Sequence, residues 1–127
     1  MTLSEIANEL VAGCREGREA ENLDKLYAPD VVSVEAMAME ETGMGREVQG
    51  LDAIKGKHEW WSNSIEMLDG TISDPMPHGD DRFAVIFKMK AKDKASGHVM
   101  DMQEVAVYTV KDGKISREEF FYAMDDA

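Results

Sequence analysis

Two carboxylates lie inside apolar, strand-like segments near the end of the chain. Glu104 lies within Met102–Val110 and Glu118 within Ile115–Tyr122, and both segments are rich in β-branched and aromatic residues. A carboxylate among apolar side chains costs several kcal/mol unless water, a partner or a proton compensates for its burial. When two carboxylates share an apolar pocket, one pKa rises, so one residue type supplies both an acid and a base. Each carboxylate therefore belongs either to the wet face of a strand or to a site for acid–base chemistry.

The strand register decides between these two alternatives for Glu104. Strand alternation separates the even-numbered side chains of this segment from the odd-numbered ones. Hydrophobicity alone favours the odd face as the core, because Val105 and Val107 lie on it, and this would leave Glu104 in water. A slip of one residue reverses every side chain. If Glu104 does point to solvent, Gln103 and Asp101 replace it as the residues to test.

A histidine and a tryptophan lie on the apolar stripe of a predicted helix that runs from Leu51 to about Leu68. The stripe includes Ile54, His58 and Trp61 at close to helical spacing, so these side chains face the sheet. His58 is either a core histidine hydrogen-bonded to a neighbour or an acid–base group of a pocket. Trp61 either packs in the core or forms an aromatic wall for a ligand.

The remaining pattern predicts helices first and an antiparallel meander last. The predicted elements are a helix capped by Ser4, a helix over Glu19–Tyr27, a short strand over Val31–Ala36, an irregular loop over Met37–Val48, and strands over Arg82–Met89, Met102–Val110 and Ile115–Tyr122. Asp112-Gly113 is typical of the tight turn that joins two hairpin strands. This order predicts an α+β layer architecture, and the length of 127 residues predicts a single domain over residues 1–127.

The charge and cysteine content limit the expected partners and compartment. The formal net charge of −12 argues against a nucleic acid or an anionic membrane surface as partner, because phosphate contacts need a basic surface. The single cysteine, Cys14, cannot form an internal disulfide bond and fits a reducing compartment. No apolar run approaches the length of a membrane span and no signal pattern precedes the first helix, so we expect a cytoplasmic protein.

Three short motifs, Leu26–Val32, Gly50–Ile54 and Tyr108–Ile115, are distributed over nearly the whole chain. Together they resemble the nuclear transport factor 2-like superfamily, in particular its polyketide cyclase (SnoaL-like) and ketosteroid isomerase branch. The resemblance implies a cone-shaped barrel, in which N-terminal helices pack on the concave face of a strongly bent, mixed but mostly antiparallel sheet. It also implies a pocket at the open end of the cone and a homodimer through the outer sheet face. Members of the superfamily differ widely in activity, so the fold alone does not identify the function.

The resemblance assigns expected roles to several residues. Glu35 follows the Tyr-Ala-Pro-Asp segment at the spacing of the general base of the isomerases, although it could also be a wet residue at the end of a strand. Ala106 corresponds to the position of a catalytic acid in related enzymes. The resemblance therefore favours the even-numbered face of this strand as the lining of the cone, and Glu104 lies on that face. Hairpin pairing is then expected to bring Glu118 near Ala106, and therefore close to Glu104.

The last strand continues this expected site. The resemblance aims Phe120 and Tyr122 into the cone together with Glu118, and the Tyr122 hydroxyl could donate a hydrogen bond to a developing enolate oxygen. Two departures from the isomerases argue against steroid isomerase activity. The segment Leu10–Cys14 contains no tyrosine, and Ala106 stands where those enzymes have a protonated aspartate.

The sequence predicts neither a metal site nor a cofactor. His58, His78 and His98 are scattered, and no pair of them has the spacing of metal ligands. No glycine-rich phosphate loop follows a strand, and no Ser-His-Asp arrangement can be assigned.

Two hypotheses of function remain open at this stage. The first is a cofactor-free enzyme of the isomerase, cyclase or hydratase type that acts on a small apolar carbonyl or polyketide-like compound. The second is a non-catalytic domain that binds a small apolar ligand or serves as a structural dimer. An open cavity with convergent carboxylates would favour the enzyme, whereas a closed apolar interior would argue against any pocket. The expected catalytic residues are Glu35, His58, Glu104, Glu118 and Tyr122, and the expected ligand contacts are Trp61, Phe120, Ile54 and Ala106.

Overall fold

Three helices and a seven-stranded sheet form the protein in a computed structural model that describes residues 1–38, 43 and 45–123. The helices are α1 (Leu3–Glu16), α2 (Glu19–Leu26) and α3 (Leu51–Ser64). The strands are β1 (Tyr27–Val34), β2 (Glu47–Gln49), β3 (Ile65–Ile72), β4 (Met76–His78), β5 (Arg82–Asp93), β6 (Val99–Lys111) and β7 (Lys114–Phe121).

The sheet is mixed, mostly antiparallel and curved. Its strand order is β2-β1-β7-β6-β5-β3, and β4 pairs with β5 outside this path. Among the described strands, β1 and β7 pair in parallel, and the other pairs are antiparallel. The predicted α+β fold is therefore confirmed.

The core lies between the helices and the inner face of the sheet. Ile6 and Leu26, from the first two helices, and Ile54 of α3 are fully buried. They belong to one apolar cluster with strand residues that include Val85 and Ala106. Burying this apolar surface is the main term that holds the helices on the sheet.

Strand pairing shows which side chains of β6 face the core. Residues directly opposite each other in neighbouring strands point to the same face. Tyr108 lies opposite the buried Phe83, Ala106 opposite the buried Val85, and Glu104 opposite Phe87. The even-numbered face of β6, with Glu104, is therefore the inner face, and the choice based on hydrophobicity alone is wrong. The outer face keeps Val105 and Val107 half-buried, so their hydrophobicity does not mark the core.

A bulge in the last hairpin places Glu118 on the inner face. Asp112 and Gly113 have φ values of 54° and 75°, as the tight turn requires. Val110 pairs with Ile115, but Thr109 pairs with Arg117, so β7 contains one extra residue at Ser116. As a result Glu118 lies opposite Tyr108, two residues along β6 from Ala106 and on the same face, and it is Phe120 that pairs with Ala106.

Several boundaries differ from those predicted. Thr2, rather than Ser4, caps α1, through a capping box with Glu5. The third helix ends at Ser64, and β3 follows at once. The helical prediction continued to Leu68 because Ile65 and Leu68 keep the helical period, yet Leu68 is exposed.

The region around the first strand also differs. β1 begins at Tyr27 rather than Val31, and it includes Pro29 because its pairing with β7 shifts register between Tyr27 and Val32. β2 begins within the segment predicted as an irregular loop over Met37–Val48 and continues to Gln49. Part of that predicted loop, residues 39–42 and 44, lies outside the described residues.

Candidate functional site

A buried carboxylate marks the deepest point of the candidate site. The Glu118 side chain is only 2% exposed. Its two oxygens accept hydrogen bonds from the Tyr27 hydroxyl at 2.7 Å and from the Ser33 hydroxyl at 2.9 Å. Burial raises the pKa of Glu118, and the two hydroxyl donors oppose that rise. Burial also raises the pKa of Tyr27 well above its usual value, so Tyr27 keeps its proton and remains a donor.

A lysine connects this buried carboxylate to a second one nearer the surface. The Lys57 ammonium donates to the Ser33 hydroxyl at 2.9 Å and forms an ion pair with Glu35 at 2.5 Å. The Tyr122 hydroxyl donates to the other oxygen of Glu35 at 3.1 Å. Four hydrogen bonds and the Lys57–Glu35 ion pair thus connect six side chains, which we call the inner polar chain. Its members are, in order, Tyr27, Glu118, Ser33, Lys57, Glu35 and Tyr122. The inner polar chain runs from the buried Tyr27 and Glu118 to the half-buried Glu35 and Tyr122.

Glu104 lies beside the inner polar chain. Burial, followed by the negative charges of Glu35 and Glu118, raises the pKa of Glu104 to about 7, and the positive charge of Lys57 opposes this rise. The Glu104 side chain is half-buried, and the hydrogen bonds among the described residues do not include its carboxyl group. A carboxyl group with a pKa near neutrality is suited both to accept and to release a proton.

The aromatic residues occupy different depths of the same face. Phe120 is half-buried, with its ring centre 5.5 Å from the Lys57 ammonium. Its ring also meets that of Tyr108 edge to face, at 6.5 Å between centres. Tyr108 in turn stacks on Phe83, with 4.9 Å between the ring centres, and both residues are buried. Burial, followed by the Glu35 charge, raises the pKa of Tyr122 to about 12, so Tyr122 stays a hydrogen-bond donor.

His58 and Trp61 lie on α3 and are both half-buried. Burial, followed by the charge of Lys57, lowers the pKa of His58, so the imidazole is neutral at pH 7. The negative charges of Glu19 and Glu35 oppose this decrease. No hydrogen bond to the His58 ring occurs among the described residues. The roles expected for His58 and Trp61 stay predictions.

The deep part of the cone is filled rather than open. Ile54 and Ala106, which were expected to contact a ligand, are fully buried in the apolar cluster and leave no surface for one. Two surface depressions in the described part of the chain lie elsewhere, on the outer face of the sheet. One includes Lys111 and Arg117, and the other Lys88 and Asp101. On the inner face, Glu35, Glu104 and Tyr122 are half-buried, so this end of the face is the part that solvent or a ligand can reach.

The sequence-based selection missed three members of the inner polar chain. Lys57 lies three residues after Ile54 and four before Trp61, so it shares their side of the helix as closely as His58 does. Ser33 lies between Val31 and Glu35 on the inner side of β1, where a polar residue signals a buried hydrogen bond. Tyr27 was assigned to the end of a helix, and only the earlier start of β1 turns it towards Glu118.

The described residues contain no group of three or more metal-binding side chains. Over the same residues, no helix combines the length and the apolar character needed to cross a membrane.

Comparison with known proteins identifies the family. The family profile of the SnoaL-like domain matches residues 1–122. A Mesorhizobium loti protein, provisionally described as a SnoaL-like polyketide cyclase and also as a carbohydrate phosphatase, is 36% identical. Its structure superimposes with a TM-score of 0.87 over 96% of this chain and 100% of that one. No curated protein matches the chain.

More distant structures share the fold. A provisional polyketide cyclase from Pseudomonas putida is 19% identical, with a TM-score of 0.72 over 99% of this chain and 95% of its own. TerC, co-crystallised with polyporic acid, is 23% identical, with a TM-score of 0.69 over 94% of this chain and 88% of its own. Since the SnoaL-like profile covers residues 1–122 of 127, the protein belongs to the SnoaL-like domain family.

Proposed function

We propose that the protein is a cofactor-free enzyme that moves a proton on a small apolar carbonyl or polyketide-like compound, in an isomerase, cyclase or hydratase type of reaction. The observation that carries this proposal is the inner polar chain. It joins two carboxylates, a lysine and three hydroxyl groups on one face, and it ends where Glu104 and Tyr122 are half-buried. A stable core does not need so many ionisable groups, and such clusters are typical of catalytic sites.

Glu104 is the proton carrier in this proposal. Its ionised carboxylate takes a proton from the carbon next to the substrate carbonyl, and the electron pair of the broken C–H bond forms a C=C bond while the carbonyl π pair moves to oxygen. In an isomerisation the protonated carboxyl group then returns the proton to a different carbon. In a cyclisation the enolate carbon attacks a second carbonyl, and the proton ends on the new alkoxide. A pKa of about 7 lets Glu104 serve in both directions near neutral pH.

The charges on the inner face favour an uncharged substrate. Glu35, Glu104 and Glu118 contribute carboxyl groups, whereas Lys57 contributes one positive charge. Away from Lys57, a negatively charged group of a substrate would be repelled by this excess of carboxylates, especially in a partly desolvated place. The half-buried Phe120 and Trp61 offer aromatic surface for a planar apolar compound.

The test uses α-tetralone, a neutral aromatic ketone with exchangeable protons next to its carbonyl. We expect the protein in deuterated water to accelerate the exchange of these protons, followed by nuclear magnetic resonance. Glu104→Gln removes the proton carrier and should lower the rate by about 100-fold or more. Asp101→Asn is the matched control, because Asp101 lies on the same strand but is exposed on the outer face. Equal rates in the wild type and Glu104→Gln would refute the role of Glu104.

A non-catalytic ligand-binding or structural dimeric domain is the alternative function. The closed core favours it, because Ile54 and Ala106 are both 0% exposed and leave no deep cavity. A ligand-binding domain would show a higher melting temperature with α-tetralone or a related aromatic compound but no exchange. A structural domain would show neither effect.

We also propose a homodimer through the outer face of the sheet. Val105 lies opposite Ile86 on one side and Phe121 on the other, and together with Val107 these residues form an outer apolar patch. Phe121 is 54% exposed, which is costly for a large aromatic side chain unless a partner covers it. Light scattering should give twice the chain mass of 14.2 kDa, and Phe121→Glu should give the monomer. A mass near 14.2 kDa for the wild type at micromolar concentration would contradict the dimer.

The cytoplasmic location likewise remains a proposal. It is supported by Cys14, the single cysteine of the chain, which is not part of a disulfide bond.

A further inference from the structure

Lys57 is held in one position by three neighbours. Its ammonium group contacts the Ser33 hydroxyl at 2.9 Å, the Glu35 carboxylate at 2.5 Å and the face of the Phe120 ring at 5.5 Å. Its side chain is nevertheless 16% exposed, so the group is not sealed in the core. A long, flexible lysine side chain loses considerable rotamer freedom when it is fixed in this way. The three contacts must therefore offset that loss of entropy.

The ammonium group retains donor capacity after these contacts. It carries three N–H groups and no acceptor, and the oxygens of Ser33 and Glu35 take two of them. Among the described residues no other acceptor takes the third N–H, which can therefore bind an oxygen of a ligand at the half-buried end of the inner face. Because the desolvation of Lys57 is already offset by Glu35 and Phe120, a new oxygen acceptor gains a charge-assisted hydrogen bond.

We propose that Lys57 binds the carbonyl oxygen of the substrate and stabilises the negative charge that develops there. This inference rests on the proposed function. When Glu104 takes the proton from the neighbouring carbon, the carbonyl π pair moves to oxygen, and the resulting enolate oxygen accepts a hydrogen bond from Lys57. Lys57 keeps all its protons throughout, so it is a fixed electrostatic partner of the oxygen and not a second proton carrier.

The buried end of the inner polar chain positions Lys57 for this role. Ser33 accepts from Lys57 and donates to Glu118, and Tyr27 donates to the other oxygen of Glu118. In this proposal Ser33, Glu118 and Tyr27 do not touch the substrate. They orient the ammonium group before the reaction, so that little reorganisation is needed when the enolate forms.

The test uses 1-naphthol, a planar bicyclic compound whose hydroxyl oxygen corresponds to the enol oxygen of α-tetralone. Ionised 1-naphthol absorbs at longer wavelength than the neutral form, so titration of the bound probe measures its ionisation directly. We expect the wild type to lower the pH at which bound 1-naphthol ionises. The Glu35→Gln variant should lower this pH further and should bind the naphtholate anion several-fold more tightly, because the Glu35 carboxylate then no longer competes for Lys57.

The double variant Lys57→Met/Glu35→Gln isolates the lysine. It removes both charges of the ion pair, so no unpaired buried carboxylate threatens the fold. It should bind the naphtholate anion about 10- to 100-fold more weakly than Glu35→Gln does, which corresponds to the loss of one hydrogen bond to a charged group. Lys55→Met is the matched control, because Lys55 lies on the same helix but pairs with Asp24 at 2.7 Å. It should leave binding unchanged.

The outcomes separate this inference from the proposed function. If the wild type does not bind naphtholate, or if the double variant binds it as tightly as Glu35→Gln, the role of Lys57 is refuted. An α-tetralone exchange rate that survives Lys57→Met unchanged also refutes it, while the proposed enzyme stands. Naphtholate binding that depends on Lys57, without any exchange by the wild type, supports the role of Lys57 as a ligand contact and refutes the enzyme.

Discussion

Replacing Glu104 by Gln is expected to stabilise the protein at alkaline pH. The folded structure raises the pKa of Glu104 from 4.5 to about 7, mainly by burial. At about 1.36 kcal/mol per pKa unit, this shift corresponds to roughly 3 kcal/mol of free energy that opposes ionisation in the folded state. Because the side chain is half-buried rather than sealed, solvent screening lowers the expected effect to about 1–2 kcal/mol.

The sign of the effect follows from proton binding. Between pH 4.5 and about 7 the folded state holds a proton on Glu104 that the unfolded chain has released. The contribution of Glu104 to the free energy of unfolding is therefore fully present below pH 4.5, falls as the pH rises and is lost above about 7. Gln is never ionised, so Glu104→Gln removes this dependence.

Urea unfolding of the wild type and Glu104→Gln at pH 4.5 and pH 8.5 measures the difference. We expect nearly equal free energies of unfolding at the lower pH, and a variant more stable by about 1–2 kcal/mol at the higher pH. Asp101→Asn serves as the control, because Asp101 is exposed and should change neither value much. A variant that is destabilised equally at both pH values would show that Glu104 is not a desolvated carboxyl group, and the argument for its acid–base role would fail.

Two further predictions concern the remainder of the fold, and urea unfolding checks both. Glu118→Gln should destabilise the protein by about 1–3 kcal/mol, because two hydroxyl groups donate to the two Glu118 oxygens and an amide has only one oxygen to accept them. Unchanged stability would contradict this prediction. Gly13→Ala should cost about 1–3 kcal/mol, because a Cβ there would lie 2.0 Å from the side-chain nitrogen of the buried Asn22. Gly56→Ala is its matched control and should stabilise by up to about 1 kcal/mol, since Gly56 is exposed within a helix and faces open space. A loss of stability at Gly56 as large as at Gly13 would refute the steric explanation.

Local patterns in the sequence were sufficient for the fold class. Asp112-Gly113 predicts the last hairpin because its backbone conformation is costly for most other residue pairs, and the structure confirms the turn. The alternation of β-branched and aromatic residues likewise predicts β5, β6 and β7. The turn and the strands depend on residues that are neighbours in the chain, so the sequence pattern is enough to predict them.

Local patterns gave a wrong or ambiguous prediction where one sequence pattern is compatible with two local structures. Ile65 and Leu68 continue the helical period of α3, yet β3 begins at Ile65, since pairing with β5 outweighs the helical preference of that segment. The inner face of β6 was ambiguous for a similar reason. Val105 and Val107 are apolar, but they belong to the outer face, where a half-covered surface tolerates them.

The site depended most on tertiary structure. Sequence alone indicated that Glu104 and Glu118 are carboxylates in apolar strands, and this is a statement about their neighbours in the chain. The bulge at Ser116 is what turns Glu118 inward, opposite Tyr108, because one extra residue shifts every later side chain to the other face. Contact between Lys57 and Glu35 joins residues of different elements, and only the packing of α3 on β1 brings them within 2.5 Å. Chemistry that needs side chains from several elements is decided by how those elements pack, and no spacing along the chain encodes that distance.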